Sequence, residues 1–396
     1  VFAAVAPVMV PAAVLMAAVT VAAARAGEPG RVLALEVLRG VPGNVTTEMD
    51  LALWRAAATI KVDPCSLTAF ETTEVEQLAE LLAAGQLPNV AQDALAGFLA
   101  RYGMRGVAEI DLGQPRWREN PIDVLRSLQS YLQITDPERA PDVMFARGAA
   151  AAQRAALELA ALISPGHGVR ARLQAARWRF AIDRVRKLIG IRETPKFTVV
   201  RLFGDLRQAL LASGYDLVAA GVLERADDVF FLHVDELERL PGEPAEPWRA
   251  VVAARRQVNE REGLRRQVPR ILLGDGRAFY EGMTGHDDAI SGSPVSPGVV
   301  EGTVRVVLDP QASHLLPGEI LVCPGTDPAW TPLFLTAGGL VTEVGGMMTH
   351  GSVVAREYGI PAIVGVHEAT SRLTTGQRIR LDGTTGNIEI LNEPTG

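Results

Sequence analysis

Cysteine is scarce. The 396-residue chain holds two, Cys65 and Cys323, too few for a disulfide framework and outside the usual zinc-ligand spacings. Both read as buried thiols of a reducing cytoplasm. Basic charge is also short: 39 Lys and Arg stand against 46 Asp and Glu, and the net −7 offers no general attraction for nucleic acid. Neither a Gly-rich phosphate loop nor an ATP-grasp pattern is found, which assigns no nucleotide site to these residues. With 48% hydrophobic and 21% charged residues, wholesale disorder and collagen-like structure are excluded, and the length predicts two or three domains with substantial cores.

Charge is missing altogether from Val1 to Ala24, a stretch long enough to span a membrane. Its many alanines, Pro7 and Pro11, and the lack of flanking aromatic anchors or a basic leader predict a buried helix instead, packed partly on sequence upstream of residue 1. A membrane anchor is the alternative.

What is present divides near residue 290. Apolar residues three and four apart predict helices over Glu74–Ala84, Asn89–Tyr102, Val143–Ile163 and Val169–Ile189, with Pro121 opening another and Ser164-Pro165-Gly166 as a turn. A further helix is expected from Val199 to Ala212, stopping at Ser213-Gly214. Residues 282–298 (GMTGHDDAISGSPVSPG) read as a linker. The division is thus a mainly helical domain over 1–288 and a small α/β domain over 289–396. In the second, strands are expected at Val299–Leu308, Glu319–Cys323, Gly339–Glu343, Ala362–Val366, Arg378–Leu381 and Asn387–Leu391, with helices at Trp330–Ala337 and Ser352–Tyr358.

The sharpest chemical feature is TEVGGMMTHGSVVAREYGIPAIVG, Thr342 to Gly365. A strand ends, two glycines permit unusual backbone angles, and a helix begins around His350. Unpaired amides at a helix start favour an anionic substituent and a neutral ring, by about 0.3–1 kcal/mol at an exposed end. A neutral imidazole is a nucleophile, and a phosphoryl group on it would meet those amides, Gly351 among them, and the Thr349 or Ser352 hydroxyl. Glu343 is a candidate ring-orienting or helix-facing carboxylate. On these residues alone, a structural histidine and a catalytic one both stand. A second feature is basic: between His167 and Arg207, eleven Arg and Lys face only Asp183, Glu193 and Asp205. Within it Arg192 and Lys196 face one way if a helix continues through Pro195. The same charges also suit the solvated faces of long helices.

Three segments, PGVVEGTVRVV, GTDPAWTPLF and the Thr342–Gly365 stretch, together resemble the mobile phosphohistidine domain of enzymes that use or make phosphoenolpyruvate. In that family the histidine before GSVVARE is the swivelling phosphoryl carrier, which here is His350. The stretches LRGVPGNVTTEMDLALW, FLARYGMRGVAEIDLGQPRWRENP, RKLIGIRETPKF and DDVFFLHVDEL resemble the rifampicin phosphotransferases and their phosphoenolpyruvate-synthase-like relatives. In that branch an ATP-grasp domain, a helical substrate domain and the carrier domain follow one another, and the chain looks like the last two, the C-terminal two-thirds of such an enzyme. The fold class implied is multidomain α and α/β, a mainly helical substrate domain followed by a swivelling β/β/α phosphohistidine domain.

The resemblance implies a cytoplasmic phosphotransferase of dikinase type, with ATP and Mg²⁺ on an absent domain or partner subunit and no metal or cofactor held by this chain. Its acceptor would be a hydroxyl of a small organic molecule such as a rifamycin-like antibiotic; neither nucleic acid nor membrane is expected as a partner. The RExxK motif puts Arg192 in place to grip phosphoryl oxygens and Lys196 near the acceptor hydroxyl. No pyruvate-binding barrel is expected after Gly396. Three rivals are an ATP-dependent condensing ligase that works through an acyl phosphate, a non-catalytic interaction or regulatory subunit that keeps the fold, and a soluble transporter-system phosphocarrier, for which the helical domain is too elaborate. The relatives commonly read YGHRG where this chain has Met104, which removes a proton-handling side chain and suits either a changed substrate or a structural position. Arg101, Tyr102, Arg105, Glu109 and Asp111 around it predict a tight corner with an internal ion network. Trp54 and Trp117 suit either an apolar pocket wall or the core.

Overall fold

Helices form wherever the sequence spaces apolar residues three and four apart. The computed structural model describes residues 2–240, 244–264, 271–279, 290–310, 315–326, 330–334, 336–347 and 349–391. In chain order come α1 (Phe2–Arg25), α2 (Gly27–Glu36), α3 (Val45–Val62), α4 (Pro64–Thr72), α5 (Val75–Ala84), α6 (Asn89–Tyr102), α7 (Ile122–Leu132), α8 (Pro141–Leu162) and α9 (Val169–Ile189). After a 3₁₀ turn at Gly190–Glu193 follow α10 (Thr194–Ala219), α11 (Val234–Arg239) and α12 (Ala245–Gly263). Side-chain caps account for several starts. Asn44 accepts from the Thr46 N–H at 2.9 Å to open α3, and Asp63 accepts from the Ser66 N–H at 2.9 Å to open α4, where Pro64 needs no partner.

The chain forms two compact units, one of residues 1–100, 121–196 and 281–396, the other of 101–120 and 197–280. Compactness therefore does not follow the division expected at 288/289. In the first unit, α1 packs on α2 and α9, with Val19 and Ala23 buried against Leu159, Ile182 and Val185. The apolar N-terminal stretch is thus a helix with partners inside this chain, and among the described residues no helix is long and apolar enough to cross a membrane. Cys323 is buried as expected, whereas Cys65, in the first turn of α4, is exposed.

In the second unit the corner at 101–120 is tied as the sequence implied. Arg105 grips Glu109 through two hydrogen bonds of 2.9 and 3.1 Å, and Arg207 grips Glu119. Met104 is buried against Gly204, where an added Cβ would come within 2.3 Å of its sulfur. Trp117 is buried in this unit, and Trp54, in the first, packs edge-on against Tyr131 with centroids 5.8 Å apart. One helix end differs from expectation: α10 runs straight through Ser213-Gly214. The glycine is there for contact, since a Cβ at Gly214 would lie 2.2 Å from the Ala226 carbonyl oxygen.

The remaining elements are β1 (Ile271–Leu272), β2 (Ala278–Phe279), β3 (Ile290–Ser291), β4 (Ser293–Ser296), β5 (Val299–Val306), β6 (Ile320–Cys323), α13 (Thr331–Phe334), β7 (Gly339–Thr342), α14 (His350–Tyr358), β8 (Ala362–Val364), α15 (Ala369–Arg372), β9 (Arg378–Asp382) and β10 (Asn387–Ile390). Strands β3 to β10 make one sheet in the order β3-β10-β9-β5-β6-β7-β8-β4, with β5 to β8 parallel and the outer pairs antiparallel. Strands β6 and β7 are buried along their whole length, as parallel strands covered on both faces must be. On one face, Leu321, Cys323 and Leu340 pack with Trp330, Phe334, Val354 and Tyr358 of the α13 and α14 region; on the other, Ile320, Val322 and Val341 pack with Ala369 and Leu373 around α15.

The stretch 282–298 is a linker only in part of its length. Residues 290–291 and 293–296 are strands, because Ile290 and Val295 supply apolar side chains to the two faces of the sheet; residues 282–289 lie outside the described residues.

Candidate active site

Helix α14 starts at His350, two residues before the expected helix, and Thr349 is its N-cap in extended conformation. The turn before it is braced by hydroxyls. Thr349 Oγ1 and Ser352 Oγ lie 2.9 and 2.7 Å from the Gly346 carbonyl oxygen and 3.0 Å from each other. Ser352 is fully buried and its hydroxyl holds the turn, whereas Thr349 is exposed. Gly351 has its own reason: a Cβ there would lie 2.2 Å from Thr326 Oγ1, so the helix start presses on Thr326. His350 opens the helix, while its imidazole, with the exposure expected of it, lies outside the described residues. The Glu343 carboxylate accepts from the Thr370 N–H at 2.8 Å and the Thr370 hydroxyl, at α15.

Farther along α14 the charged residues are buried. Arg356, 2% exposed, donates to the Val295 carbonyl at 3.0 Å, and burial brings its pKa down to about 10 against the attraction of Glu357, with Arg192 pushing the same way as burial. The influence of Arg192 on Arg356 is one sign that the RETPK segment lies against this helix. A second is a small cavity lined by Arg192, Glu193, Val353, Arg356 and Glu357 together with Leu38 and Asn44. The structure therefore brings one member of the basic pair to the helix that His350 opens.

Arg192 sits in the 3₁₀ turn and pairs with Glu193, while Lys196 is exposed in the first turn of α10, where Pro195 is tolerated at the second position. The pair does not share one α-helical register. Much of the surrounding basic stretch is structural: Arg186 binds the Arg39 and Gly40 carbonyls at 2.8 and 2.9 Å and the Val37 carbonyl as well, Arg184 and Lys187 pair with Asp183, and Arg207 with Glu119. Among the described residues no group of three His, Cys, Asp or Glu side chains is placed to hold a metal ion.

Sequence reasoning missed a set of residues at the far end of α14. Tyr358 donates to Asp50 of α3 at 2.5 Å, and Tyr131 of α7 donates to the other oxygen of the same carboxylate. Glu357 accepts from the Gly40 N–H at 2.7 Å and from the Val41 N–H. Both Asp50 and Gly40 lie inside LRGVPGNVTTEMDLALW, where the run of RG, PG and N before a helix is the available signal.

Residues 3–193 match the family model described as the rifampicin phosphotransferase fourth domain, and residues 315–386 match that of the PEP-utilising enzyme mobile domain. Among curated relatives, the rifampicin phosphotransferase of Streptomyces sviceus is 40% identical over 365 residues, which cover 89% of this chain and 40% of that protein. That of Bacillus subtilis is 35% identical over 355 residues, with the same two shares. The prodigiosin synthesizing transferase PigC of Serratia marcescens is 30% identical over 363 residues, 87% of this chain and 39% of that protein. The chain thus spans about 40% of the length of the curated relatives it matches, less than the two-thirds implied by its motifs. With a fourth-domain match followed by a mobile-domain match in one chain, this protein belongs to the rifampicin-phosphotransferase-like branch of the PEP-utilising family.

Proposed function

We propose that the chain forms the carrier and acceptor-binding parts of a dikinase-type phosphotransferase, with His350 as the phosphoryl carrier. A neutral ring nitrogen attacks the β-phosphorus of ATP held on another domain or subunit and the bond to AMP breaks; water then cleaves the β–γ bond, so that the γ-phosphoryl group leaves as inorganic phosphate and the β-phosphoryl group stays on the ring. The phosphohistidine then meets a hydroxyl of a small organic acceptor, such as a rifamycin-like antibiotic. The N–P bond breaks, an O–P bond forms and the hydroxyl proton is taken up in place of the phosphoryl group by the freed imidazole. Thr349 and the free amides of the first turn favour the added negative charge, and Arg192 and Lys196 steady the moving group. The observation that carries this reading is the cavity at which Arg192 of the RExxK motif meets Arg356 and Glu357 of the helix headed by His350. ATP and Mg²⁺ belong to that other domain or subunit.

The test is labelling from β-³²P ATP with an ATP-grasp partner supplied. Label is expected on His350 and absent in His350→Ala; full labelling of that variant overturns the carrier role. Arg192→Ala and Lys196→Ala should accept label normally and donate it slowly, and undiminished product formation removes them from the transfer step. The match to PigC favours a second reading, activation of a carboxylic acid as an acyl phosphate for condensation. Hydroxylamine trapping of an acyl phosphate, in place of a stable phosphate ester, selects it.

A further inference from the structure

We infer that Asp50 with Tyr131, together with the Gly40 and Val41 amides, forms a landing site for the C-terminal end of α14, engaging Tyr358 and Glu357 so that the helix of His350 is held on the helical region while it donates. The inference deepens the proposed function by naming the positioning residues of the donating state.

The landing site is braced from within the helical region. Arg186 draws the carbonyls of residues 37, 39 and 40 to one side, which leaves the Gly40 and Val41 N–H groups for Glu357. Gly40 has φ +55, and a Cβ there would lie 2.4 Å from Ala149 Cα, so the loop is pinned against α8. At Gly190 a Cβ would lie 2.0 Å from the Pro42 carbonyl oxygen, so the start of the RETPK segment clamps the same loop. Arg39 lies over Gly359, where an added Cβ would be 3.0 Å from its Nη2, beside the carbonyl end of α14 where a cation is favourable.

Asp50 is the second half. Its two oxygens each accept one phenol, one from the helical region and one from α14, and no Lys or Arg among the described residues forms an ion pair with it. A buried carboxylate with two donors gives up one of them when Tyr358 leaves, so the contact favours the docked helix. Glu357 and Tyr358 are neighbours in sequence, and the two contacts are made and broken together.

Hydrogen–deuterium exchange on the whole chain reads the landing site without ATP or acceptor. Tyr358→Phe keeps the ring in its apolar surroundings and removes only the hydroxyl; Asp50→Asn changes the other partner isosterically. In both, the Gly40 and Val41 amides should exchange about ten-fold faster, as the loss of one hydrogen bond to a charged group predicts, with strands β6 and β7 as protected as before. Unchanged exchange at 40–41, or equal acceleration through β6 and β7, overturns the landing site. With the ATP-grasp partner present, the same variants should label fully at His350 and donate with lower kcat at unchanged KM for the acceptor. If wild type takes no label but the exchange result holds, phosphotransfer fails and the landing site stands.

Discussion

Replacing Glu357 by glutamine removes a carboxylate that the fold holds under strain of charge. Glu357 is 7% exposed, and burial raises its pKa from the usual 4.5 to about 7, against the opposing pull of the Gly40 amide, Arg356, the Val41 amide and Arg39. Between those two values the folded chain keeps a proton that the unfolded chain releases, so stability falls as pH rises from about 4.5 to 7. The displacement corresponds to about 3 kcal/mol, fully expressed above pH 7. Glutamine keeps an oxygen for the Gly40 amide and cannot ionise. Any cost of its buried amide, about 1–3 kcal/mol, is the same at every pH. Urea unfolding followed by intrinsic fluorescence from pH 4.5 to 8 should therefore show the variant gaining about 3 kcal/mol on wild type across the window. Parallel pH profiles for the two proteins would refute the reasoning, because they would place the Glu357 proton equally in the folded and unfolded chains.

Gly351→Ala drives a methyl toward Thr326 Oγ1 and should cost about 1–3 kcal/mol in thermal unfolding, with partial recovery in the Thr326→Ala double variant. A single variant as stable as wild type counts against the close approach. Arg186→Met should strand the carbonyls of residues 37, 39 and 40 and cost about 3 kcal/mol, seen as a lowered urea midpoint and faster exchange at 37–41; protection unchanged in that loop would deny Arg186 its bracing role.

Local pattern was enough where neighbours in sequence decide the outcome. The Asn89–Tyr102 and Val169–Ile189 helices have the expected bounds, since their apolar spacing and flanking turns are contained in a few turns of chain. The strands after residue 299 were legible for the same reason, as was a helix starting beside His350 after paired glycines. The error at Ser213-Gly214 came from reading a glycine as a stop when a carbonyl from Ala226 required it. At Ser352, spacing suggested a donor for phosphate, and only packing turned its hydroxyl back to Gly346.

By itself the sequence determined the order of elements, the family, and the histidine at the head of a short helix, all of which depend on spacings of a few residues. Tertiary structure alone decided that the other end of that helix would meet Asp50 and the Gly40 amide, 308 and 317 positions from their partners. The physical reason is distance along the chain. Helical and strand periodicity are paid for locally, but a carboxylate's second phenol or an amide's acceptor comes from whichever segment the packed cores bring beside it.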